Sequence, residues 1–146
     1  MKNLKKLMLM AVLTGAVSSG AYAQKITAAK VPAAVKAAFA KTNPGVTNVK
    51  WEKEDGKFEA GYTMGGHEMS ALYDANGTMT ESEMGIKVSE LPTSVLSYVS
   101  ANRKGAKIKE AAKITKAGGE VNYEAQVNGK DMIFDAKGSF IKEVKD

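Results

Sequence analysis

The sequence contains one stretch with the residue types of a calcium-binding loop, DANG at residues 74–77, and a near copy, DAKG, at residues 135–138. A calcium loop of the EF-hand type needs alternating oxygen ligands and a bidentate glutamate at position 12. Counted from Asp74, position 12 is Gly85, and the second copy has Lys137 where the first has an asparagine. The same residue types are typical of hairpin turns, where Gly and Asn accept a positive φ angle. We therefore expect two turns and no metal site.

Residues for catalysis are scarce. His67 is the sole histidine and there is no cysteine. The sequence therefore lacks the ligands of a typical zinc site and has no cysteine nucleophile. The pairs Glu68 with Asp74 and Glu52 with Glu54 could act as paired carboxylates, but chance pairs are expected among 16 acidic residues. We predict no catalytic residue, no metal and no cofactor, and that the chain is not an enzyme.

Three aromatic residues are candidates for contact with a partner: Trp51, Tyr62 and Tyr73, all on predicted strands. Trp and Tyr dominate the energetics of protein interfaces when they lie on an open surface. The alternative is that they pack beneath a helix, as we expect for Phe58. The two interpretations differ in which face of the sheet carries them.

The methionines outside the N-terminal segment lie on predicted strands or loops, and filling of the core is their default role. Their spacing in the sequence shows no clustering of the kind that a copper site requires. They are Met64, Met69, Met79, Met84 and Met132.

The first residues have the features of a signal peptide. Lysines precede an apolar run over residues 7–17, and Ala21-Tyr22-Ala23 supplies small residues for cleavage before Gln24. This predicts a signal peptide over residues 1–23. The apolar run is too short for a permanent membrane span, and no cysteine follows it for lipid attachment. We expect a protein without a membrane anchor after cleavage, in the periplasm or secreted.

The net charge gives no reason to expect a nucleic-acid partner. The formal charge of +5 comes from 21 basic and 16 acidic residues. Without the three lysines of residues 1–23, 18 basic residues face 16 acidic ones, and the two signs alternate along the chain.

The absence of cysteine also excludes disulfides.

Five blocks recur in the same order in the two halves of the chain, one of them the single glycine at 45 and 105. VPAAV at 31–35 corresponds to LPTSV at 91–95, and YDANGT at 73–78 corresponds to FDAKGS at 134–139. FEA also matches YEA, and GHEM matches GKDM. This order predicts a tandem repeat, with one unit over 24–83 and a second over 84–146, together forming one compact domain.

Each unit begins with apolar residues at helical spacing and continues with residues that alternate with a period of two. The spacing predicts one helix and a three- to four-stranded antiparallel meander per unit, since tight turns join only antiparallel strands. The fold class is therefore α+β, with the helices on one face of the sheet. We expect up to eight strands, in one curved sheet or in two adjoining sheets.

The run VPAAVKAAFAKTNPGVTNVKWEKEDGKFEA resembles the opening unit of the PepSY-like, β-lactamase-inhibitor-like family of small exported bacterial proteins, and the later blocks resemble the rest. The resemblance implies tandem αβ units in the periplasm, commonly of unknown activity. Relatives of the family suggest inhibition of a peptidase or β-lactamase. The disulfides of the secreted inhibitors are absent here, and no long loop is present to serve as an inhibitory finger.

These observations favour a module that binds or inhibits an envelope or secreted protein through its open sheet face. The alternative is a small-ligand or envelope-sensing module with a cleft between the units, near residues 82–91.

Overall fold

The computed structural model describes residues 23–145, so all of the predicted signal peptide except Ala23 lies outside the described residues. Two α-helices, α1 (Ala33–Thr42) and α2 (Thr93–Asn102), are each preceded by a short 3-10 helix. The strands are β1 (Gln24–Ile26), β2 (Lys50–Glu54), β3 (Lys57–Met64), β4 (His67–Tyr73), β5 (Met79–Ile86), β6 (Ile108–Lys116), β7 (Val121–Val127), β8 (Lys130–Asp135) and β9 (Phe140–Lys145).

All nine strands form one antiparallel sheet in which every strand lies beside its neighbour in sequence. β5 pairs with β6 over six residue pairs, from Glu81↔Lys116 to Ile86↔Ala111, which joins the halves into a continuous sheet. The α+β prediction is confirmed. The expected maximum of eight strands is wrong by one, because β1 is a three-residue edge strand too short to show alternation. The tandem duplication stays a prediction, and its proposed boundary between residues 83 and 84 falls inside β5.

The two helices begin and end in the same way. Pro32 and Pro92 are the N-cap residues, both with a φ of −53°, and each helix has ten residues. Proline suits the start of a helix because its missing N–H would have no helical acceptor there. Gly45 and Gly105 follow the two C-termini with φ angles of 85° and 75°. Only glycine adopts this left-handed conformation at little cost.

Each helix covers its own apolar cluster on the same face of the sheet. Beneath α1, Phe39 makes edge-to-face contacts with Trp51 and Tyr62, at ring-centroid distances of 5.6 and 5.0 Å. Beneath α2, the ring of Phe134 is fully buried and lies 5.5 Å from Tyr98. We call this the helix face, and the opposite side of the sheet the open face.

The two DAxG stretches form the same turn. In the first, the Asp74 side chain accepts hydrogen bonds from the backbone N–H groups of Asn76 (2.9 Å) and Thr78 (3.0 Å). In the second, Asp135 accepts the equivalent bonds from Lys137 and Ser139, both at 2.9 Å. The prediction of turns is confirmed, and in each turn one aspartate oxygen already binds two backbone donors.

Each of these turns also holds the first turn of a helix. A Cβ atom on Gly77 would lie 2.6 Å from the backbone oxygen of Ala34, and one on Gly138 would overlap the Ser94 hydroxyl. Both glycines have positive φ angles, 86° and 80°. The Ser94 hydroxyl further donates to the backbone oxygen of Lys137 at 2.8 Å. The repeated motif therefore fixes the helices on the sheet.

Candidate binding surface on the open face of the sheet

Strand alternation decides which side chains reach the open face. In β3, Phe58, Ala60 and Tyr62 belong to the cluster beneath α1, so Glu59 between them points to the opposite side. The register carries this assignment across the sheet. Glu59 pairs with Leu72 of β4, and Glu83 of β5 lies opposite Ile114 of β6.

The open face is concave. Leu72, Ile114 and Ile133 form one buried cluster, although they lie on β4, β6 and β8. Alternate strands of a flat sheet are about 9.5 Å apart, so contact between side chains across this distance indicates a sheet that curls toward them. Val144 of β9 packs against the same cluster. The curl brings the open-face side chains together in the absence of any described helix on this side.

Four acidic residues lie buried in this concave face. Their exposed fractions are 8% for Glu59, 1% for Glu83, 8% for Glu124 and 5% for Asp131. Neither carboxyl oxygen of Glu83 has a hydrogen-bond partner among the described residues, whereas Asp131 accepts a bond from Gln126 at 3.3 Å. A buried carboxyl group without partners is uncommon, because its desolvation is not offset.

The pKa of Glu83 is raised well above its ordinary value, first by burial and then by repulsion from Glu124, Glu59, Glu81 and Asp131. Burial favours the neutral form of a carboxyl group, and neighbouring carboxylates favour it further. Glu83 therefore keeps its proton to a higher pH than an exposed glutamate does. The centre of the open face is a set of carboxyl groups whose mutual repulsion adds to the effect of burial on Glu83.

Lysines lie on one side of this acidic centre. Burial raises the pKa of Glu81, and Lys116, Lys57 and Lys142 partly offset the effect. Lys116 also forms an exposed ion pair with Glu120 at 2.8 Å. The face thus has an acidic and apolar centre and a basic rim near the β6–β7 turn.

The three predicted partner-contact residues lie on the other face. Trp51, Tyr62 and Tyr73 are 7%, 9% and 1% exposed and belong to the core beneath α1. They do not lie on the open face, because strand alternation turns them toward α1, and their contact with a partner stays a prediction. Burial raises the pKa values of both tyrosines.

The sequence did carry a signal for the acidic centre. Once the apolar residues of β3 are assigned to the helix face, the intervening Glu59 is assigned to the open face. The apolar residues Ile114 and Ile133 fall on that same face and mark it as more than a solvated surface. What the sequence could not show was the pairing of β5 with β6, which places Glu83 at the centre.

The described part of the chain contains no group of three or more His, Cys, Asp or Glu residues placed to hold a metal ion. His67 lies in β4 on the helix face, where its Nδ1 atom is 2.9 Å from the backbone oxygen of Gly85. It is therefore not part of the acidic centre. At the predicted cleft between the units, residues 81–86 of β5 pair continuously with β6.

No protein-family model and no curated protein matches this sequence. Several solved structures share the fold. A protein of Bacteroides eggerthii assigned to the periplasm has 15% identity and a TM-score of 0.71, with 77% of this chain and 87% of that chain covered. A DUF2874 family protein of Bacteroides uniformis has 18% identity and a TM-score of 0.69, with the same coverage.

A BLIP-like (β-lactamase-inhibitor-like) protein of Bacteroides fragilis also has this fold, with 22% identity, a TM-score of 0.61 and coverage of 77% of this chain and 84% of that chain. The chain therefore has a β-lactamase-inhibitor-like fold, as the resemblance implied. Among residues 23–145, no helix has the length and apolar character needed to cross a membrane.

Proposed function

We propose that this protein is an exported, non-catalytic module that binds a protein partner on its concave open face. The observation that carries the proposal is Glu83, a fully buried carboxyl group whose oxygens have no hydrogen-bond partner within the described residues. An unsatisfied buried polar group costs about 1–3 kcal/mol. A partner that donates a hydrogen bond to Glu83 would remove this cost. Such a partner would explain why the free protein keeps an unsatisfied carboxyl group here.

The chemistry of the face defines the kind of partner. The acidic centre favours a cationic side chain, and the cluster of Leu72, Ile114 and Ile133 favours an apolar surface around it. Charge-assisted hydrogen bonds to carboxylates are among the stronger polar contacts in proteins. The expected partner presents a lysine or arginine within an apolar patch. Its first contacts are to Glu81 and Val144, which remain partly exposed at the edge of the centre.

The predicted signal peptide and the periplasmic assignment of a structural neighbour support export. The PepSY-like sequence resemblance and the BLIP-like neighbour support a binding or inhibitory role. The scarcity of nucleophiles and bases in the sequence supports a role without catalysis. A peptidase or β-lactamase is the first class of partner to test.

Photo-crosslinking in living cells tests the proposal. A photoreactive amino acid replaces Val144 on the open face in one variant and Lys36, an exposed residue of α1, in a matched control. We expect adducts of defined mass at position 144 and none of the same mass at position 36. Absence of adducts at 144, or equal adducts at both positions, contradicts binding through the open face.

A further inference from the structure

Three methionines and the sole histidine come together on the helix face near the join between the two halves. Met64 of β3 is the direct cross-strand partner of His67 in β4. Met69 lies two residues further along β4, on the same face, and pairs directly with Met84 of β5. Direct cross-strand neighbours have Cβ atoms about 4.5–5.5 Å apart. The register thus gathers side chains that are up to 20 positions apart in the sequence.

The hydrogen bond of His67 fixes which ring nitrogen is available. Nδ1 lies 2.9 Å from the backbone oxygen of Gly85, and a carbonyl oxygen can only accept, so Nδ1 carries the proton in this bond. The Nε2 atom then has a free lone pair. Histidines that bind metals are oriented in the same manner, with one nitrogen donating to a backbone carbonyl and the other bound to the metal.

We propose that His67, Met64 and Met69 form a binding site for Cu(I), with Met84 beside Met69 as a further thioether. Thioether and imidazole ligands favour Cu(I), whereas calcium and magnesium prefer oxygen ligands. The Met64 side chain is 45% exposed and provides a path for the ion from solvent. Lys113 of β6 lies opposite Met84, so its ammonium group disfavours a cation on that side. The ligand set is therefore centred on His67 and Met64.

This site is on the opposite face from the acidic centre and does not depend on the proposed partner. Its chemistry needs no proton release from a thiol, because thioethers bind in their neutral form. Sequence spacing alone indicated no methionine cluster, since the contacts exist only in the folded sheet. Burial of Met69 against the core beneath α1 holds one ligand in place before the ion arrives.

The test is an anaerobic titration of the full chain with Cu(I) in competition with a chromophoric Cu(I) chelator. We expect one ion per site and a loss of affinity of about tenfold or more in each of M64L, M69L and H67Q, since these changes remove a ligand. Leu replaces Met with little loss of volume, so the variants should fold. M79L is the matched control, because Met79 is also exposed but lies outside the cluster.

All variants keep the same N-terminal segment, so its methionines affect each titration equally. Binding of Ag(I), a redox-inert cation with similar ligand preferences, should shift the NMR signals of His67 and of the Met64 and Met69 methyl groups. The proposal is overturned if the wild-type chain does not compete with the chelator. It is equally overturned if M64L and M69L bind as tightly as M79L, with circular dichroism showing that all three are folded.

Discussion

The two faces of the sheet use the same alternating strands for different purposes. On the helix face, aromatic and aliphatic side chains meet α1 or α2, and rings such as Phe134 are fully covered. On the open face, Glu59, Glu83 and Glu124 are nearly as well buried, but they lie beside one another without a helix of the described chain above them. Burial of apolar side chains on the helix face stabilises the fold, whereas burial of carboxyl groups on the open face costs free energy. The difference separates the residues that hold the fold from those available for binding.

The largest effect is expected from removing a ring on the helix face. Phe134→Ala deletes a fully buried side chain that contacts Tyr98 and Phe140. We expect the free energy of unfolding to fall by about 3–5 kcal/mol, as is typical for Phe to Ala in a core. Urea denaturation measures the change. Ile133→Ala, one residue away on the open face, serves as the comparison and should cost less, since water can enter its cavity. Equal losses for the two variants would mean that both faces contribute alike to the free energy of unfolding.

A second expected effect concerns how the helices are attached. Gly77→Ala places a methyl group against the backbone of Ala34, which cannot rotate away, at a φ angle of 86°. Gly138→Ala meets the Ser94 hydroxyl, a side chain that can move at the cost of its bond to Lys137. We expect Gly77→Ala to lie at the upper end of the usual range of about 0.5–3 kcal/mol and Gly138→Ala below it.

Thermal denaturation of both glycine variants measures the order of these costs. Adding Ser94→Ala to Gly138→Ala should recover part of the loss, because it removes the nearest clashing atom. No substitution of a single side chain should rescue Gly77→Ala. The reverse order would show that the turn of the second half is the more rigid contact.

The third expected effect is on the open face and depends on pH. The pKa of Glu83 is raised in the folded state, so between its unfolded and folded pKa values the native protein binds a proton that the unfolded chain has lost. Stability from this group is therefore complete at acidic pH and is lost as the pH rises through the folded pKa. Burial is the main cause of this shift, and the neighbouring groups that add to it are Glu124, Glu59, Glu81 and Asp131, with Lys116 next to Glu81.

Glu83→Gln keeps the size of the side chain but cannot ionise. The free energy of unfolding of the wild type, minus that of the variant, should fall with rising pH by up to about 1.4 kcal/mol per pH unit within this window. Urea denaturation at a series of pH values measures the difference. Glu120→Gln, at the exposed rim, is the control and should show no such decline. A flat difference for Glu83→Gln would mean that water or another group already satisfies this carboxyl.

The sequence predicted the fold well because its signals are local. Helical spacing after Pro32 and Pro92, alternation in β3 and β7, and the repeated turn at Asp74 and Asp135 each depend on a few adjacent residues. The edge strand β1 was missed because three residues cannot display a period. Local signals also cannot show which of the two sets of alternate side chains on a strand faces the helix.

That ambiguity explains why Trp51, Tyr62 and Tyr73 were candidates for the open face although they lie on the helix face. Their shared face could be identified, but its side of the sheet depends on where α1 packs. Glu83 and the methionine cluster were out of reach for a related reason, since both depend on strand pairing between residues far apart in the sequence. Only the register of the folded sheet brings such side chains together.

The unbroken order of the strands has a consequence for how the chain folds. Because every strand pairs with its immediate predecessor, each new ladder closes only a short loop, except where a helix intervenes. Topologies with such small sequence separations between contacting residues fold faster than those with long-range pairing. Assembly can proceed hairpin by hairpin, and each of the inner strands β2 to β8 has an open edge only until its next neighbour pairs with it. The rate of strand pairing therefore limits how long these edges are exposed and able to start aggregation.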